Sequence, residues 1–110
     1  MSHPRKALDT LIHAPVRFSI AAALAAVDEA DFKTLRDTIE ITDSALSKQI
    51  TFLEQADYVK VRKTFVGKRA RTWLSLTGTG RTAFTHHVAA LRDIAEWEPG
   101  QGDGPGPTES

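Results

Sequence analysis

Apolar residues in the first quarter of the chain recur every three or four positions, which is the spacing of one face of an α-helix. Pro15 interrupts this stripe, and proline is tolerated in the first turn of a helix but not farther in. We therefore predict a short turn or loose helix over residues 8–12 and a main helix from Pro15 to about Val27. The stripe consists of Leu8, Ile12, Val16, Ile20, Leu24 and Val27.

Two more helices are predicted before residue 56. Helical spacing of Phe32, Leu35 and Ile39 indicates a short second helix. The third helix is predicted from Asp43 to about Gln55, after a short linker. Thr42 is its predicted N-cap, and Asp43 lies in the first turn, where the helix dipole favours an anion. Its inner stripe is Leu46, Ile50 and Leu53.

After residue 57 the pattern changes from a helical period to strict alternation, which is typical of β-strands. Two alternating segments, around Val59–Val61 and Trp73–Leu76, flank a loop that contains Gly67, and this arrangement predicts a β-hairpin. A final helix is predicted from Thr77, its N-cap, to about Glu96. The fold class is therefore mainly α with a small β-hairpin, in the order helix-helix-helix-hairpin-helix, which describes a winged helix-turn-helix.

Several segments resemble the small single-domain transcriptional regulators of the bacterial MarR-like and ArsR-like group. The helix-turn-helix resemblance lies in Ile41-Thr42, Ala45-Leu46-Ser47-Lys48, Leu53-Glu54 and Ala56-Asp57-Tyr58-Val59. Leu76-Thr77, Gly80-Arg81 and Phe84 resemble the join between the last strand and the last helix in that group, and Ile12 to Arg17 resembles its N-terminal segment. The resemblance implies a winged helix fold that binds DNA and dimerises through its terminal helices.

Composition limits the alternatives. The chain has 110 residues and fits one domain. We predict a flexible N-terminus over residues 1–7, a winged helix domain over 8–97 and a disordered, Gly/Pro-rich tail over 98–110.

Cysteine is absent, so no disulfide or zinc-thiolate site is possible. No apolar run is long enough to span a membrane and no signal peptide is evident, so we expect a cytoplasmic protein without a membrane partner.

The outer face of the third helix is a candidate surface for reading DNA. On a helical wheel, the buried stripe lies opposite short or hydrogen-bonding side chains and one cation. Such a face fits a major groove, where lysine reaches guanine and small residues allow close approach, although any amphipathic helix has a polar outer face. Gln55 lies too far along the helix to reach bases. The predicted contacts are Ser44, Ala45, Ser47, Lys48 and Thr51.

The hairpin region provides the sharper signal. The net charge of the whole chain is zero, but residues 59–81 contain seven cations and no acid, between flanks of charge −3 and −4. A patch of this kind attracts a phosphate backbone. Charges that only deter edge-to-edge strand pairing would require one or two lysines. The predicted wing contacts are Lys60, Arg62, Lys63, Lys68, Arg69 and Arg71, and the seventh cation is Arg81.

Other chemistry is not indicated. Trp73 is expected to pack beside Tyr58 or brace the wing rather than stack in a pocket. His86 and His87 point in different directions on a helix, and although His86 and His13 could meet across a dimer, packing or surface roles are favoured over a metal site. The sequence contains no phosphate-binding glycine loop, nucleophile elbow or carboxylate–histidine set, so we predict no enzyme activity, no metal and no cofactor.

The terminal helices carry more apolar side chains than a three-helix core requires, and we predict a twofold homodimer through them. The alternative is that these positions pack within one chain. The predicted interface residues are Leu8, Ile12, Val88, Leu91, Ile94 and Trp97.

The predicted partner is double-stranded DNA, bound as a sequence-specific regulator. Two alternatives stay open. In the first, the domain is a protein-interaction module without specific DNA binding. In the second, it is a switch controlled by an unknown small-molecule effector, which binds in a pocket at the dimer interface, near Trp97 or Phe84.

Overall fold

The structure, a computed structural model, describes residues 3–100. A short 3₁₀ turn, Pro4–Ala7, precedes five α-helices and three strands in this part of the chain. In order they are α1 (Thr10–His13), α2 (Pro15–Ala25), β1 (Ala30–Asp31), α3 (Phe32–Ile39), α4 (Asp43–Gln55), β2 (Val59–Val66), β3 (Arg69–Leu76) and α5 (Gly78–Ala95). The mainly helical winged helix architecture predicted from the sequence is confirmed.

Side-chain caps explain where the helices begin. Thr42 accepts a hydrogen bond from the Ala45 N–H at the start of α4, and Thr77 accepts one from the Gly80 N–H at the start of α5, as predicted. Pro15 occupies the first turn of α2, whose end at Ala25 comes slightly before the predicted one. The helix α4 is the predicted third helix, and its observed bounds, Asp43–Gln55, match the predicted ones.

The sheet has one strand more than expected. β2 and β3 form the predicted antiparallel hairpin, from the pair Val59–Leu76 at its base to Val66–Arg69 at its tip. The strand β1 pairs with β3 through Ala30–Leu74 and Asp31–Trp73, so the strand order is β1-β3-β2. The strand β1 was not predicted from the sequence because its two residues are too few to show an alternating pattern.

The core lies where the inner stripes of α2, α3 and α4 meet one face of the sheet. Its buried members are Ile20, Leu24, Leu35, Leu46, Ile50, Leu53, Val59, Leu74 and Leu76. The start of α5 is held against the end of α4: the Thr77 N–H donates to the Tyr58 carbonyl at 3.0 Å. Gly80 lies so close to the same carbonyl that an added Cβ would be 2.2 Å from its oxygen, so only glycine fits.

The N-terminal segment packs against the last helix. Pro4–Ala7 forms an ordered turn that packs against α5, and Pro4 is buried. The His3 ring makes an edge contact with Trp97 at 5.2 Å between centroids. The structure thus forms a 3₁₀ turn against α5 at residues 4–7, where the sequence predicts a flexible segment. Most of the predicted disordered tail, residues 101–110, lies outside the described residues.

A partly buried cluster around the buried His87 connects α1, α2 and α5 with the segment after α4, and we call it the joint (Asp9, His13, Phe18, Tyr58 and His87). The Tyr58 hydroxyl donates to the Asp9 carboxylate at 2.6 Å, which raises the pKa of Tyr58 to about 12. The Asp9 N–H donates to His87 Nδ1 at 3.0 Å. His87 Nε2, which therefore carries the proton of the neutral ring, is buried without a hydrogen-bond partner in the described structure.

The surroundings of His87 lower its pKa. Burial is the largest cause, the neighbouring His13 adds to it, and the Asp9 carboxylate opposes it. The rings of His13 and His87 lie 5.4 Å apart within one chain, whereas His86, considered above as a neighbour of His13, is exposed. Adjacent positions of a helix lie about 100° apart, so the order His86-His87 does not by itself show which ring points inward.

Candidate nucleic-acid interface

The outer face of α4 presents most of the predicted base-reading side chains to solvent. Ser44, Ser47, Lys48 and Thr51 are exposed, and Ala45 is half-buried. The Thr51 hydroxyl donates to the Ser47 carbonyl at 3.0 Å, which leaves its oxygen available as an acceptor. This face therefore combines one cation with small hydroxyl side chains.

Two arginines outside α4 form contacts with its side chains, and neither was predicted from the sequence as a site residue. Arg36 of α3 pairs with Asp43 at 2.7 Å and with Asp37 at 2.9 Å, so the acid at the start of α4 is balanced by a cation. Arg17 of α2 donates to the Gln49 side chain at 2.9 Å and lies over the Phe52 ring at 5.5 Å. The first pairing removes the repulsion that an unpaired Asp43 would exert on a phosphate.

The hairpin base is the part of the hairpin that contains Arg62, Arg71 and Trp73, and it is tied to acids from the segment before α3. Arg62 donates to both oxygens of Glu29, at 2.9 and 2.7 Å. Arg71 donates to Asp31 at 2.8 Å. Residues 59–81 themselves contain no acid. The acids that pair with Arg62 and Arg71 lie more than thirty positions earlier in the chain.

Trp73 lies between the two paired arginines. The Arg71 guanidinium is 4.8 Å from the ring centroid and that of Arg62 is 5.8 Å away, which are cation–π distances. The indole N–H donates to the Thr64 hydroxyl across the hairpin at 3.1 Å. Trp73 thus braces the wing, which is one of the roles predicted for it.

These pairings keep the acids ionised. The pKa of Asp31 is lowered to about 2, first by the Thr34 backbone N–H that it caps and then by Arg71. The hydrogen bond from Arg62 lowers the pKa of Glu29. Asp31 therefore has two tasks, since one of its oxygens caps α3 and the other holds the hairpin.

The other hairpin cations are unpaired. Lys60, Lys63, Lys68 and Arg69 are exposed, and within residues 3–100 no acid forms an ion pair with them. Arg81, which the sequence grouped with this patch, points inward instead. It donates to the carbonyls of Ala25 and Val27 at 3.4 and 3.0 Å and caps the end of α2.

The predicted dimer residues differ in how much surface they offer. Leu8, Val88, Leu91, Ile94 and Trp97 are half-buried in the single chain. Ile12 is only 1% exposed because it packs inside its own chain, so its assignment to the interface is wrong. Phe84 stacks on Phe18 at 5.7 Å.

The fold also contains a groove away from the predicted effector pocket. A groove of about 600 Å³ lies between the start of α3 and β3, with Phe32, Lys33, Val66 and Arg69 in its walls, away from Trp97 and Phe84. Within residues 3–100, no group of three or more His, Asp or Glu side chains could hold a metal ion. The same part of the chain contains no helix long and apolar enough to cross a bilayer.

Comparison with known proteins agrees with the architecture. The family model described as a winged helix DNA-binding domain matches residues 16–95. An uncharacterised protein of Methanocaldococcus jannaschii is 24% identical over 86 residues, which are 78% of this chain and 94% of the relative.

Solved structures show the same fold. A transcriptional regulator homologue from Pyrococcus horikoshii superposes with a TM-score of 0.79 at 23% identity, covering 87% of this chain and 96% of that one. The M. tuberculosis transcriptional regulator MOSR, solved in complex with DNA, has a TM-score of 0.66 at 18% identity, covering 84% of this chain and 65% of that one. The structural neighbours are MarR-family transcriptional regulators, as the sequence resemblance implied.

Proposed function

The chain belongs to the winged helix DNA-binding domain family, and from this premise we propose that it is a dimeric transcriptional regulator that binds specific sequences of double-stranded DNA. Family and fold support a DNA-binding regulator rather than an enzyme. The observation that carries the finer proposal is the presence of two exposed surfaces, the face of α4 and the hairpin. Within residues 3–100 their cations Lys48, Lys60, Lys63, Lys68 and Arg69 form no ion pair with an acid.

In this proposal α4 lies in the major groove. Lys48 is its one outward cation, and lysine can donate to the O6 and N7 atoms of guanine. Ser44, Ser47 and Thr51 are short enough to let the helix backbone approach the base edges. Because Arg36 balances Asp43, the first turn can approach phosphates with its helix dipole directed favourably.

The hairpin contributes affinity that does not depend on base sequence. Lys60, Lys63, Lys68 and Arg69 are available to neutralise phosphates or enter a minor groove. Arg62 and Arg71 have a different task, because their guanidinium groups already hold Glu29 and Asp31. The proposed backbone contacts are therefore a subset of the predicted ones.

Dimerisation through the terminal segments completes the proposal. Leu8, Val88, Leu91, Ile94 and Trp97 are half-buried apolar residues near the two ends of the domain, and a second copy would cover them. A twofold axis there would place two α4 helices about one DNA turn, ~34 Å, apart on a palindromic site. We propose that the protein acts in the cytoplasm, and that any small-molecule effector binds where the dimer completes a pocket.

Selection from randomised duplex fragments tests the function. We expect enrichment of a palindromic sequence, whose binding weakens steeply with salt. Lys48→Ala should relax the sequence preference, and Lys68→Ala with Arg69→Ala should lower affinity for every duplex and flatten the salt dependence. Lys6→Ala is the matched control, since it removes an exposed cation from the N-terminal turn.

The outcomes separate this function from its alternative. If no duplex is enriched and the Lys48 and Lys68/Arg69 variants behave as the control does, the domain is an interaction module instead. Sedimentation of the free protein gives its mass, and a monomer on a single half-site would contradict the dimer alone.

A further inference from the structure

The hairpin tip, Phe65–Arg69, exposes two large apolar side chains in succession. Phe65 is 68% exposed and Val66 is 72% exposed, the highest values among the large hydrophobic residues of the described chain that face solvent. The next in order, Val27 and Phe52, are 42% and 41% exposed. Single exposed hydrophobic residues are common, but two at the extremity of a hairpin form a distinct feature.

The turn geometry places this pair at the end of the wing. Gly67 follows directly with a φ of 62°, the left-handed conformation that a two-residue hairpin turn with glycine in first position requires. Consecutive strand residues point to opposite faces, so Phe65 and Val66 straddle the tip. Phe65 lies opposite Ala70, whose methyl group is too small to cover the ring, and Val66 lies opposite Arg69.

Unpaired cations surround the two apolar side chains. Lys63 precedes Phe65 on the same face of β2, and Lys68 and Arg69 follow in and after the turn. A second hairpin would meet this surface with like charges, and an apolar protein surface would have to bury the cations. A nucleic-acid groove offers the complementary arrangement, with rows of phosphates on the outside, sugars and base edges between them, and apolar base faces that become accessible where a base step is unstacked.

On the basis of the proposed function, we propose that Phe65 and Val66 form an apolar wedge that enters the minor groove of the bound duplex and bends it. Lys68 and Arg69 contact the phosphates on each side, while the wedge separates a base step. Such contacts generate specificity at positions that no hydrogen bond reads, since pyrimidine–purine steps deform most easily.

The test uses the duplex selected by the wild-type protein, with a fluorophore at each end so that energy transfer reports the bend. We expect the wild type to shorten the end-to-end distance on binding. Phe65→Ser and Phe65→Thr should abolish this change and weaken binding about tenfold, with the salt slope unchanged because no cation is lost. Val66→Thr should act in the same direction, and Val27→Thr is a control that removes an exposed apolar residue outside the hairpin.

Each outcome is decisive. Thermal unfolding of the variants should match the wild type because Phe65 and Val66 are exposed, and threonine preserves strand propensity if serine does not. If the variants bind and bend the duplex as the wild type does, the wedge is wrong while the regulator function stands. If the wild type selects no duplex, the proposed function itself fails. If Phe65→Ser instead changes the mass of the free protein, the tip is a contact between copies and the wedge is overturned.

Discussion

The joint and the hairpin both depend on polar side chains, but the two regions place them in opposite surroundings. In the joint, the hydrogen bonds from Tyr58 to Asp9 and from Asp9 to His87 are partly buried, and His87 itself is buried. On the hairpin, the polar groups are charged and reach solvent. A group in the joint therefore contributes to folding, whereas a group at the hairpin tip contributes to what the folded protein binds.

The hairpin base lies between these two extremes. Arg71 is exposed, yet its partner Asp31 has a side chain only 13% exposed and also caps α3. Position on the hairpin alone thus does not decide a cation's task. What decides it is whether an acid from elsewhere in the fold reaches it.

The largest expected effect comes from Gly80→Ala, where α5 approaches the backbone of Tyr58, a member of the joint. The new Cβ would be 2.2 Å from the carbonyl oxygen of Tyr58, and both groups belong to backbone that cannot move aside freely. We expect the free energy of unfolding to fall by about 3 kcal/mol or more. Urea denaturation measures it, and Gly78→Ala, where nothing lies within 4 Å, is the matched control. Equal stability of the two variants would refute the close approach.

Asp31→Asn addresses the hairpin base. The pKa of Asp31 is about 2 instead of 3.8, so its stabilisation is complete above pH ~3.8 and is lost as the pH falls towards 2. At neutral pH we expect Asp31→Asn to lower the free energy of unfolding by about 1 kcal/mol, because asparagine still caps α3 but no longer pairs with Arg71. Denaturation between pH 2 and 7 should show a shallower acid slope for the variant. Glu29→Gln, which breaks a more exposed pair, should cost less, and the reverse order would contradict the role of Asp31.

His87 gives the joint a pH dependence in another range. Its pKa lies below the usual 6.5 in the folded protein, so the unfolded chain binds the additional proton more readily. Stability should be constant, as far as this group is concerned, above about pH 6.5 and should fall as the pH drops below it. His87→Asn keeps an acceptor for the Asp9 N–H and should remove this decrease, whereas His86→Asn, at an exposed position, should retain it. An unchanged pH profile in His87→Asn would assign the decrease to other groups.

The smallest effect on stability should come from Arg69→Ala. This variant nevertheless tests most directly whether cations at the hairpin tip and at the hairpin base have different roles. Because Arg69 has no acid partner in the described structure, we expect stability to change by less than about 0.5 kcal/mol and the salt slope of duplex binding to fall by about 1. Arg71→Ala should show the opposite pattern, with lower stability and a nearly unchanged slope. Similar results for both arginines would abolish the distinction between tip and base.

The sequence predicted the elements whose residues interact with near neighbours. The range of α4 followed from Thr42, Asp43 and a regular apolar stripe, and the hairpin followed from its alternation. The strand β1 and the N-terminal turn escaped prediction because each is stabilised by residues far along the chain, β3 for one and α5 for the other.

The candidate site was predictable to the same extent. The sequence gives the positions of the hairpin cations but not their partners, because Glu29 and Asp31 approach Arg62 and Arg71 only after the sheet has formed. Arg81 was grouped with the patch by its place in the sequence, although the geometry of α5 turns it towards α2. Ile12 was assigned to a surface because a stripe shows which face is apolar, not what covers it.

The strand order β1-β3-β2 also governs how the molecule can form while it is being synthesised. The central strand, β3, is the last of the three to leave the ribosome, so β1 has no partner until Leu74 and Trp73 have emerged. Until then Leu24, Leu35 and Leu46 have no sheet to pack against, and Pro4–Ala7 must wait longer still, for α5. We therefore expect the nascent chain to acquire its structure in one late step rather than helix by helix, with its first residues among the last to settle.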